Sequence, residues 1–204
     1  MKYTGPKARL CRREGFNLFG SDKYQKIMAK RATIPGVHGG KRQGKFTEYA
    51  KQLREKQKLK RMFGLSEKQF RRTFDKAESM KGVTGGNLLQ LLEQRLDNVV
   101  YRAGFAMTRM QARQFVSHGL FMLNGRRVDV PSIMVKEGDV IEVRIKSKKS
   151  PVFVKNLEAN EKYNAPSWLS VNGKNISIEI VGIPANEHYE QAVSPQMIVE
   201  FYSR

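Results

Sequence analysis

One segment without Gly or Pro carries four basic residues at helical spacing, Lys51, Arg54, Lys58 and Arg61. At about 100° per residue they form a single stripe along one side of a helix. The only acidic residue among them is Glu55. Like charges one helical turn apart destabilise a helix unless an anion neutralises them. The stripe therefore favours contact with phosphate groups, and an ordinary solvated helix face is the alternative.

A second pair of candidate residues is Arg109 and Arg113, which lie one helical turn apart and project from the same face of a predicted helix. A planar guanidinium group donates paired hydrogen bonds to phosphate oxygens better than an ammonium group does. Both arginines are therefore candidates for contact with a polyanion. The alternative is that Arg113 pairs with an acidic residue such as Asp97 inside its own domain.

The charge of the chain supports a polyanionic partner. The 204 residues carry a formal net charge of +19, and the charge is uneven. Residues 1–81 hold 23 Lys and Arg against 7 Asp and Glu, whereas residues 151–204 hold 4 against 6. A folded protein with this charge repels itself unless something anionic neutralises it. Nucleic acid is the first candidate partner, an anionic membrane surface the second, and a role in solubility alone the third.

Composition also excludes several classes of protein. Forty per cent of the residues are apolar, which is enough to bury a core. No run approaches the ~20 apolar residues of a membrane span, and the first residues lack the apolar core of a secretory signal. The single cysteine, Cys11, excludes an internal disulfide and indicates a reducing compartment.

The elements that would position these residues follow from local signals. Frequent Gly and Pro predict that residues 1–46 are an irregular basic arm. A helix is predicted from Glu48 to Phe63, and a capping box of Ser66 and Gln69 opens the next helix. Three glycines between residues 82 and 86 end this helical block.

The chain after residue 86 predicts two helices followed by a small antiparallel sheet. The first helix starts at Asn87 and is closed by Gly104, and a capping box of Thr108 and Gln111 opens the second, which ends at Gly119. Asn124-Gly125 between short apolar segments predicts a hairpin, because both positions accept positive φ. The remaining predicted strands cover residues 133–135, 140–145 and the two arms of a hairpin around Asn172-Gly173.

Short motifs in this part resemble the S-four (S4) RNA-binding domain: Arg95-Leu96-Asp97, Ala112-Arg113-Gln114, His118-Gly119, Asn124-Gly125 and Gly138-Asp139-Val140-Ile141. Flanking motifs extend the resemblance to nearly the whole chain and to the bacterial or organellar family of small-subunit ribosomal protein S4: Leu53-Arg54-Glu55-Lys56-Gln57-Lys58, Asn87-Leu88-Leu89, Arg95 to Arg102 and Ile198 to Arg204. The resemblance implies an α+β fold, with an amino-terminal basic arm and a helical domain plus an RNA-binding domain of two helices packed on a small antiparallel sheet. The expected domains are the arm at 1–46, the helical domain at 47–86, completed by the chain end at about 185–204, and the RNA-binding domain with a carboxy-terminal hairpin extension at 87–184.

The resemblance also implies a function. Members of the family are structural constituents of the small (30S) ribosomal subunit and primary assembly proteins that bind 16S rRNA at a junction of several RNA helices. They line the entry channel for mRNA beside neighbouring proteins of the S-three and S-five families, contribute to translational accuracy, and in some cases repress translation of their own operon. We therefore expect a monomer within a cytoplasmic or organellar ribosome, with no cofactor, no membrane partner and no enzymatic activity.

The resemblance implies that Arg109 and Arg113, with the Asn124-Gly125-Arg126 turn, belong to the RNA-facing surface, and the basic stripe and other basic residues of the arm and helices complete the candidate set. The expected rRNA-binding residues are Arg12, Arg13, Lys51, Arg54, Lys58, Arg61, Arg71, Arg72, Arg109, Arg113, Asn124 and Arg126. The candidates for contact with mRNA at the entry channel are Lys41, Arg42 and Lys45. Backbone contact is the expected mode, because it positions RNA without reading its sequence.

One departure from the family concerns zinc. Some members hold this metal with four cysteines in the amino-terminal segment, but the motif from Gly5 to Gly15 keeps only Cys11, and Ala8 stands at another ligand position. Tetrahedral zinc needs four donors. We therefore expect no zinc and no other metal.

Two other functions compete with this hypothesis. An RNA-modifying enzyme or a synthetase fragment could carry the same RNA-binding domain, but the sequence shows no phosphate-binding Gly-Lys-Ser/Thr loop and no familiar catalytic spacing. A membrane-surface protein could use the amphipathic segment around Tyr49 and Leu53. That segment lacks Trp, and packing on the next helix explains its apolar face better.

Overall fold

The computed structural model describes residues 3–40, 45–148, 151, 153, 156, 163–173 and 175–203. Backbone contacts divide the chain into two compact units. The first unit joins Met1–Gly85 to Gln191–Arg204, and the second unit is Gly86–Glu190. The sequence-based division into an arm, a helical domain and an RNA-binding domain stays a prediction.

The prediction that the first 46 residues are irregular is wrong over two segments. Helix α1 spans Lys7–Glu14 and helix α2 spans Asp22–Lys30. Helix α1 ends at Gly15, whose φ of 63° is left-handed, so a glycine interpreted as a helix breaker is instead the residue that terminates a helix. Cys11 and Leu18 are buried, and such packing stabilises helices too short to form alone.

The next two helices agree with the sequence analysis. Helix α3 spans Glu48–Met62 and helix α4 spans Glu67–Glu78. The side chain of Thr47 accepts a hydrogen bond at the start of α3, and Ser66 and Gln69 form the predicted capping box at the start of α4. These caps satisfy backbone N–H groups that have no partner within the helix.

The single long helix predicted after residue 86 is instead two helices. Helix α5 spans Thr84–Glu93 and helix α6 spans Leu96–Arg102. Between them Arg95 is extended, with φ −67° and ψ 137°, and it pairs with Met134 as an isolated antiparallel bridge. The strand predicted at residues 133–135 is reduced to this bridge. Long-range backbone pairing therefore interrupts a helix that the local apolar periodicity suggests is continuous.

Helix α7 spans Arg109–Ser117 and ends just before Gly119, as predicted. The side chain of Thr108 accepts from the N–H of Gln111. In the predicted capping box the Gln111 side chain would accept from the backbone N–H of Thr108. Gln111 Oε1 instead accepts from the N–H of Met107, one residue earlier, at 2.8 Å. The helix start is still capped at both positions.

Within the described residues, five antiparallel strands form one sheet in the spatial order β2-β1-β3-β5-β4. The strands are β1 at Phe121–Leu123, β2 at Arg126–Val128, β3 at Val140–Val143, β4 at Leu169–Asn172 and β5 at Ser177–Ile180. Asn124 and Gly125 join β1 to β2 with φ values of 49° and 77°, which are those of the predicted hairpin turn. The strand expected to reach residue 145 ends at Val143, and a short helix α8 follows at Ile145–Lys148.

The core of the second unit lies between the sheet and helices α6 and α7. It contains residues of both layers, among them Val99, Val116, Phe121 and Ile178, all fully buried. Trp168, the only tryptophan, is 4% exposed in the same core. The predicted α+β fold, with helices packed on a small antiparallel sheet, is confirmed.

The chain end returns to the first unit. A 3₁₀ turn at Asn186–His188 precedes helix α9 at Pro195–Tyr202, which packs against α3. Ile198 is fully buried, and the ring of Tyr202 lies 4.5 Å from the ring of Phe74 on α4.

Candidate nucleic-acid interface

The basic stripe predicted on α3 is partly covered by α1. Arg54 Nη1 lies 3.2 Å from Glu14 Oε1, and Arg61 donates to the same oxygen. The Glu14 side chain is 1% exposed. Burial raises the pKa of its carboxyl, and the two arginines offset only part of that rise. Half of the stripe is therefore engaged by an acid that lies at least 40 residues away in the sequence.

The other two stripe residues differ in their surroundings. Lys58 donates to the carbonyl of Ala192, and its Nζ lies 5.1 Å from the centroid of the Phe16 ring. Lys51 is exposed and pairs with Glu48 at 2.7 Å. An exposed pair of this kind contributes about 0–1 kcal/mol. Lys51 can therefore exchange its carboxylate for a phosphate at little cost, whereas Lys58 is part of the packing.

The two arginines predicted on α4 also differ. Arg71 Nε lies 2.8 Å from Asp75 Oδ1, and its guanidinium stacks 4.6 Å from the centroid of the Tyr202 ring. Arg72 is exposed, and no carboxylate of the described residues lies within 4.0 Å of its guanidinium. Arg72 is therefore the cation of this pair that is available to an external anion.

The amino-terminal candidates show the same division. Arg12 donates from Nε and Nη2 to the carbonyl of Thr33, at 2.9 and 2.6 Å, and so ties α1 to the segment after α2. Arg13 is exposed. Of the three mRNA candidates, Lys45 is exposed, and Lys41 and Arg42 lie outside the described residues.

Arg109 in the second unit is held by groups of its own unit. Its Nε donates to Asn98 Oδ1 at 2.8 Å, its Nη2 donates to Glu190, and its guanidinium lies 4.7 Å from the centroid of the Tyr101 ring. The side chain is only 13% exposed. The arginine therefore fixes the position of α7 within its unit, and its contact with RNA stays a prediction.

Glu93 lies at the centre of this network, with a side chain that is 1% exposed. Its carboxylate accepts from Arg102 Nε and Nη2 at 2.9 and 2.7 Å and from Asn98 Nδ2 at 2.6 Å. Burial disfavours the charge of Arg102, but the hydrogen bonds that Arg102 donates to Glu93, together with the negative charge of Glu93, outweigh that effect and raise the pKa of Arg102. The buried charges of this network are thus paired.

Arg113 shows the arrangement that the sequence left as an alternative. Its Nη1 lies 3.5 Å from Asp97 Oδ2, and the same carboxylate accepts two hydrogen bonds from Arg95 at 3.1 and 2.9 Å. Arg113 Nη1 is buried and forms no hydrogen bond with a described residue. Arg113 therefore has an internal ion pair, and its contact with RNA also stays a prediction.

The hairpin turn after β1 carries the last two predicted residues. Asn124 Nδ2 donates to Asp139 Oδ1 at 2.8 Å, and its Oδ1 accepts from the N–H of Val140 at 2.9 Å. These bonds hold the turn against the start of β3, so the side chain of Asn124 is used inside the fold. Arg126 is exposed beside it, and no carboxylate of the described ranges lies within 4.0 Å.

Two further arginines that the sequence analysis did not select meet at Gly119. The guanidinium of Arg127 occupies the space that a Cβ at Gly119 would need, and Arg144 Nη1 donates to the carbonyl of Gly119 at 3.2 Å. Strand alternation could have indicated Arg127, because it places this residue on the face opposite the inward Val128. No local signal brings Arg144 to the end of α7.

A possible nucleophile–base pair in the second unit does not have catalytic geometry. His188 Nδ1 accepts from the N–H of Ala185 at 3.1 Å, so the neutral ring carries its proton on Nε2. That Nε2 lies 2.9 Å from Ser167 Oγ and therefore donates to it. A base must accept the proton of the nucleophile, so this contact is structural.

The described residues offer neither a metal cluster nor a bilayer span. Among them, no group of three or more His, Cys, Asp or Glu could hold a metal ion. Cys11 is fully buried, and burial raises the pKa of its thiol, which makes it a poor ligand and nucleophile. The residues present do not fit a four-donor zinc site. None of the helices in the described ranges is long and apolar enough to cross a membrane.

Two helices packed on a small sheet, with exposed arginines that lack carboxylate partners within the described ranges, define a nucleic-acid-binding module. The models for the Ribosomal protein S4/S9 N-terminal domain and for the S4 domain match residues 2–93 and 94–141. The resemblance to the S4 domain drawn from the sequence motifs is confirmed.

Relatives extend the match to the whole chain. Proteins named small ribosomal subunit protein uS4 from Thermoanaerobacter sp. (strain X514) and Halothermothrix orenii are 50% and 52% identical over 207 residues, covering 100% of this chain and 99% of theirs. The chain belongs to this uS4 family, which comprises structural ribosomal proteins and not enzymes.

Proposed function

We propose that this chain is a structural constituent of the small ribosomal subunit and binds 16S rRNA directly, as a primary assembly protein in the cytoplasm. The observation that carries the proposal is the distribution of charges in a member of the uS4 family. The most buried acids, Glu14, Glu93 and Asp97, are engaged by arginines. The exposed cations Arg72 and Arg126 have no carboxylate within 4.0 Å in the described part of the chain. The excess positive charge therefore remains at the surface, where phosphates can neutralise it.

The predicted residues have two roles in this proposal. Exposed groups neutralise the phosphate backbone, which positions RNA without reading its sequence. Residues with internal partners hold the helices, and so the exposed cations, at fixed separations that match a folded RNA. The exposed group comprises Arg13, Lys51, Arg72 and Arg126, and the group with internal partners comprises Arg12, Arg54, Lys58, Arg61, Arg71, Arg109, Arg113 and Asn124.

The test is equilibrium binding of the purified chain to 16S rRNA, measured by filter retention between 50 and 200 mM salt, with an unrelated structured RNA of equal length as the control. We expect tight binding to 16S rRNA whose log K falls with log salt by about 0.7–0.9 per neutralised phosphate. Failure to bind 16S rRNA at the lowest salt, equal affinity for the control RNA, or an affinity that ignores salt would each contradict the proposal.

We also propose finer roles that rest on the family. Lys41, Arg42 and Lys45 contact mRNA at the entry channel, beside proteins of the S-three and S-five families, and the chain is a monomer within the ribosome. Crosslinking in purified small subunits, with peptides and nucleotides mapped together, tests the mRNA contact and the neighbours. Crosslinks from residues 41–45 to rRNA alone would contradict the mRNA contact.

Repression of the chain's own operon is a separate proposal. It requires that the surface that binds 16S rRNA also binds the operon's messenger. The expected result is competition between the two RNAs for the purified chain, together with reduced translation of a reporter that carries the messenger's leader. Unchanged reporter output at saturating protein would contradict it.

A further inference from the structure

The seven arginines of the second unit fall into two groups. Each of Arg95, Arg102, Arg109 and Arg113 has a carboxylate within 4.0 Å. The other three, Arg126, Arg127 and Arg144, have none among the described residues. Cations that the fold leaves without a carboxylate are candidates for an external anion.

Two of these three arginines converge on one residue. A Cβ added to Gly119 would lie 2.6 Å from Nε and 2.7 Å from Nη2 of Arg127, so the guanidinium rests directly on the glycine. Arg144 donates from Nη1 to the carbonyl of the same residue at 3.2 Å. Gly119 has a φ of 64°, and the absence of a side chain there permits both the left-handed backbone and the close approach of Arg127.

The sheet does not neutralise the pair. Arg127 on β2 lies opposite Met122 on β1, which lies opposite Glu142 on β3. Two strand spacings of about 4.8 Å each separate the backbones of Arg127 and Glu142, and their side chains form no ion pair within 4.0 Å. Two guanidinium groups that contact one glycine repel each other, and an anion held between them would remove that repulsion.

We propose that Arg127 and Arg144 form a phosphate clamp over Gly119, which binds a backbone phosphate of RNA. The proposal rests on the proposed function, because it assigns a contact within the same RNA-binding surface. Two guanidinium groups can donate several hydrogen bonds to a phosphate, whose oxygens accept from more than one direction. The hydrogen bond from Arg144 to the Gly119 carbonyl holds one side of the clamp before RNA binds.

A structural role for the same residues predicts different behaviour. Gly119 follows α7, and cations near the carboxy end of a helix stabilise its exposed carbonyls. If that is the whole role of the two arginines, their removal lowers the melting temperature and leaves the salt dependence of RNA binding unchanged. The clamp instead predicts that removal of either arginine makes RNA binding less dependent on salt.

The test compares Arg127→Ala, Arg144→Ala and the double variant with the unchanged chain for binding to 16S rRNA between 50 and 200 mM salt. The matched control is Lys136→Ala, which removes one exposed positive charge at the other end of β3, in the turn before Val140. Loss of one phosphate contact should reduce the slope of log K against log salt by about 0.7–0.9. Over this fourfold range of salt, that difference changes the ratio of affinities about threefold.

We expect each single variant to have a smaller slope of log K against log salt than the unchanged chain. Because the two arginines share one phosphate in the clamp, the double variant should show no further reduction. The slope of Lys136→Ala should equal that of the unchanged chain within error. Thermal unfolding identifies any variant that fails to fold, and Arg127→Lys with Arg144→Lys then serves as the folded pair that keeps charge but loses guanidinium geometry. Unchanged slopes in folded variants, or an equal reduction in Lys136→Ala, overturn the clamp. Loss of binding by the unchanged chain would instead overturn the proposed function.

Discussion

Replacing Glu93 with Gln tests whether the buried charge network organises the second unit. The carboxylate of Glu93 accepts hydrogen bonds from Arg102 and Asn98, and its side chain is 1% exposed. An amide of the same shape keeps one acceptor oxygen but turns an NH₂ group towards donors. The charge of Arg102, whose side chain is 18% exposed, then loses its main partner.

The magnitude follows from that burial. Removal of one partner from a buried ion pair costs about 3–5 kcal/mol. Glu190 also lies 3.2 Å from Arg102 and retains part of the pairing, so we expect a loss of about 2–4 kcal/mol in the free energy of unfolding. For a unit of this size, that loss lowers the melting temperature by about 8 °C or more.

Trp168 makes the measurement specific, because the only tryptophan is buried in the core of the second unit. Its fluorescence should show the unfolding transition of Glu93→Gln shifted to lower temperature and lower denaturant. Glu137→Gln, which neutralises an exposed acid of the same unit, is the matched control and should change the melting temperature by less than the error. A loss below about 1 kcal/mol in Glu93→Gln would refute the view that this network is a major source of stability.

Three further predictions concern other polar groups. Burial opposes the charge of Glu67, but hydrogen bonds from two lysines lower its pKa to about 2. The contribution of the ionised carboxylate to stability is therefore present above about pH 4.5 and lost as the pH falls towards 2. Circular dichroism melts should show Glu67→Gln less stable than the unchanged chain at pH 6 and equal to it near pH 2. Asn124→Ala removes two hydrogen bonds at a position with φ 49°. The free energy of unfolding, measured by Trp168 fluorescence, should fall by about 1–3 kcal/mol. Asn124→Gly should lose less stability, because glycine accepts a positive φ without strain. Glu14→Gln removes the carboxylate that two arginines share, but burial raises the pKa of Glu14 and so disfavours its charge. The loss in circular dichroism melts should therefore be no more than about 1 kcal/mol, and Glu14→Ala should lose more because it also removes the hydrogen-bond acceptor and buried methylene groups.

Several local features of the fold could be read from the chain alone. Ser66 with Gln69, and Asn124-Gly125 between strands, occupy the predicted positions. Each is set by interactions within about four residues, which the sequence displays directly. The family motifs could be recognised for the same reason, because each is a short contiguous segment of the sequence.

The misjudged features depend on distant partners. The helix after residue 86 breaks at Arg95 because the backbone pairs with Met134. The first 46 residues form two helices because buried side chains such as Leu18 stabilise segments whose glycines suggest irregular chain. A local pattern cannot reveal either, since the stabilising contact lies outside the window in which the pattern is read.

The sequence by itself determined the excess of positive charge, its concentration in the amino-terminal part and the membership of the uS4 family. The tertiary structure alone decided which cations are available. Arg54 and Arg61 share the buried Glu14, whereas Arg127 and Arg144 meet at Gly119 without a carboxylate from the described residues. The physical reason is that an arginine's charge is fixed by its chemistry, but its partner is fixed by which segments the fold brings within a few ångströms of its guanidinium.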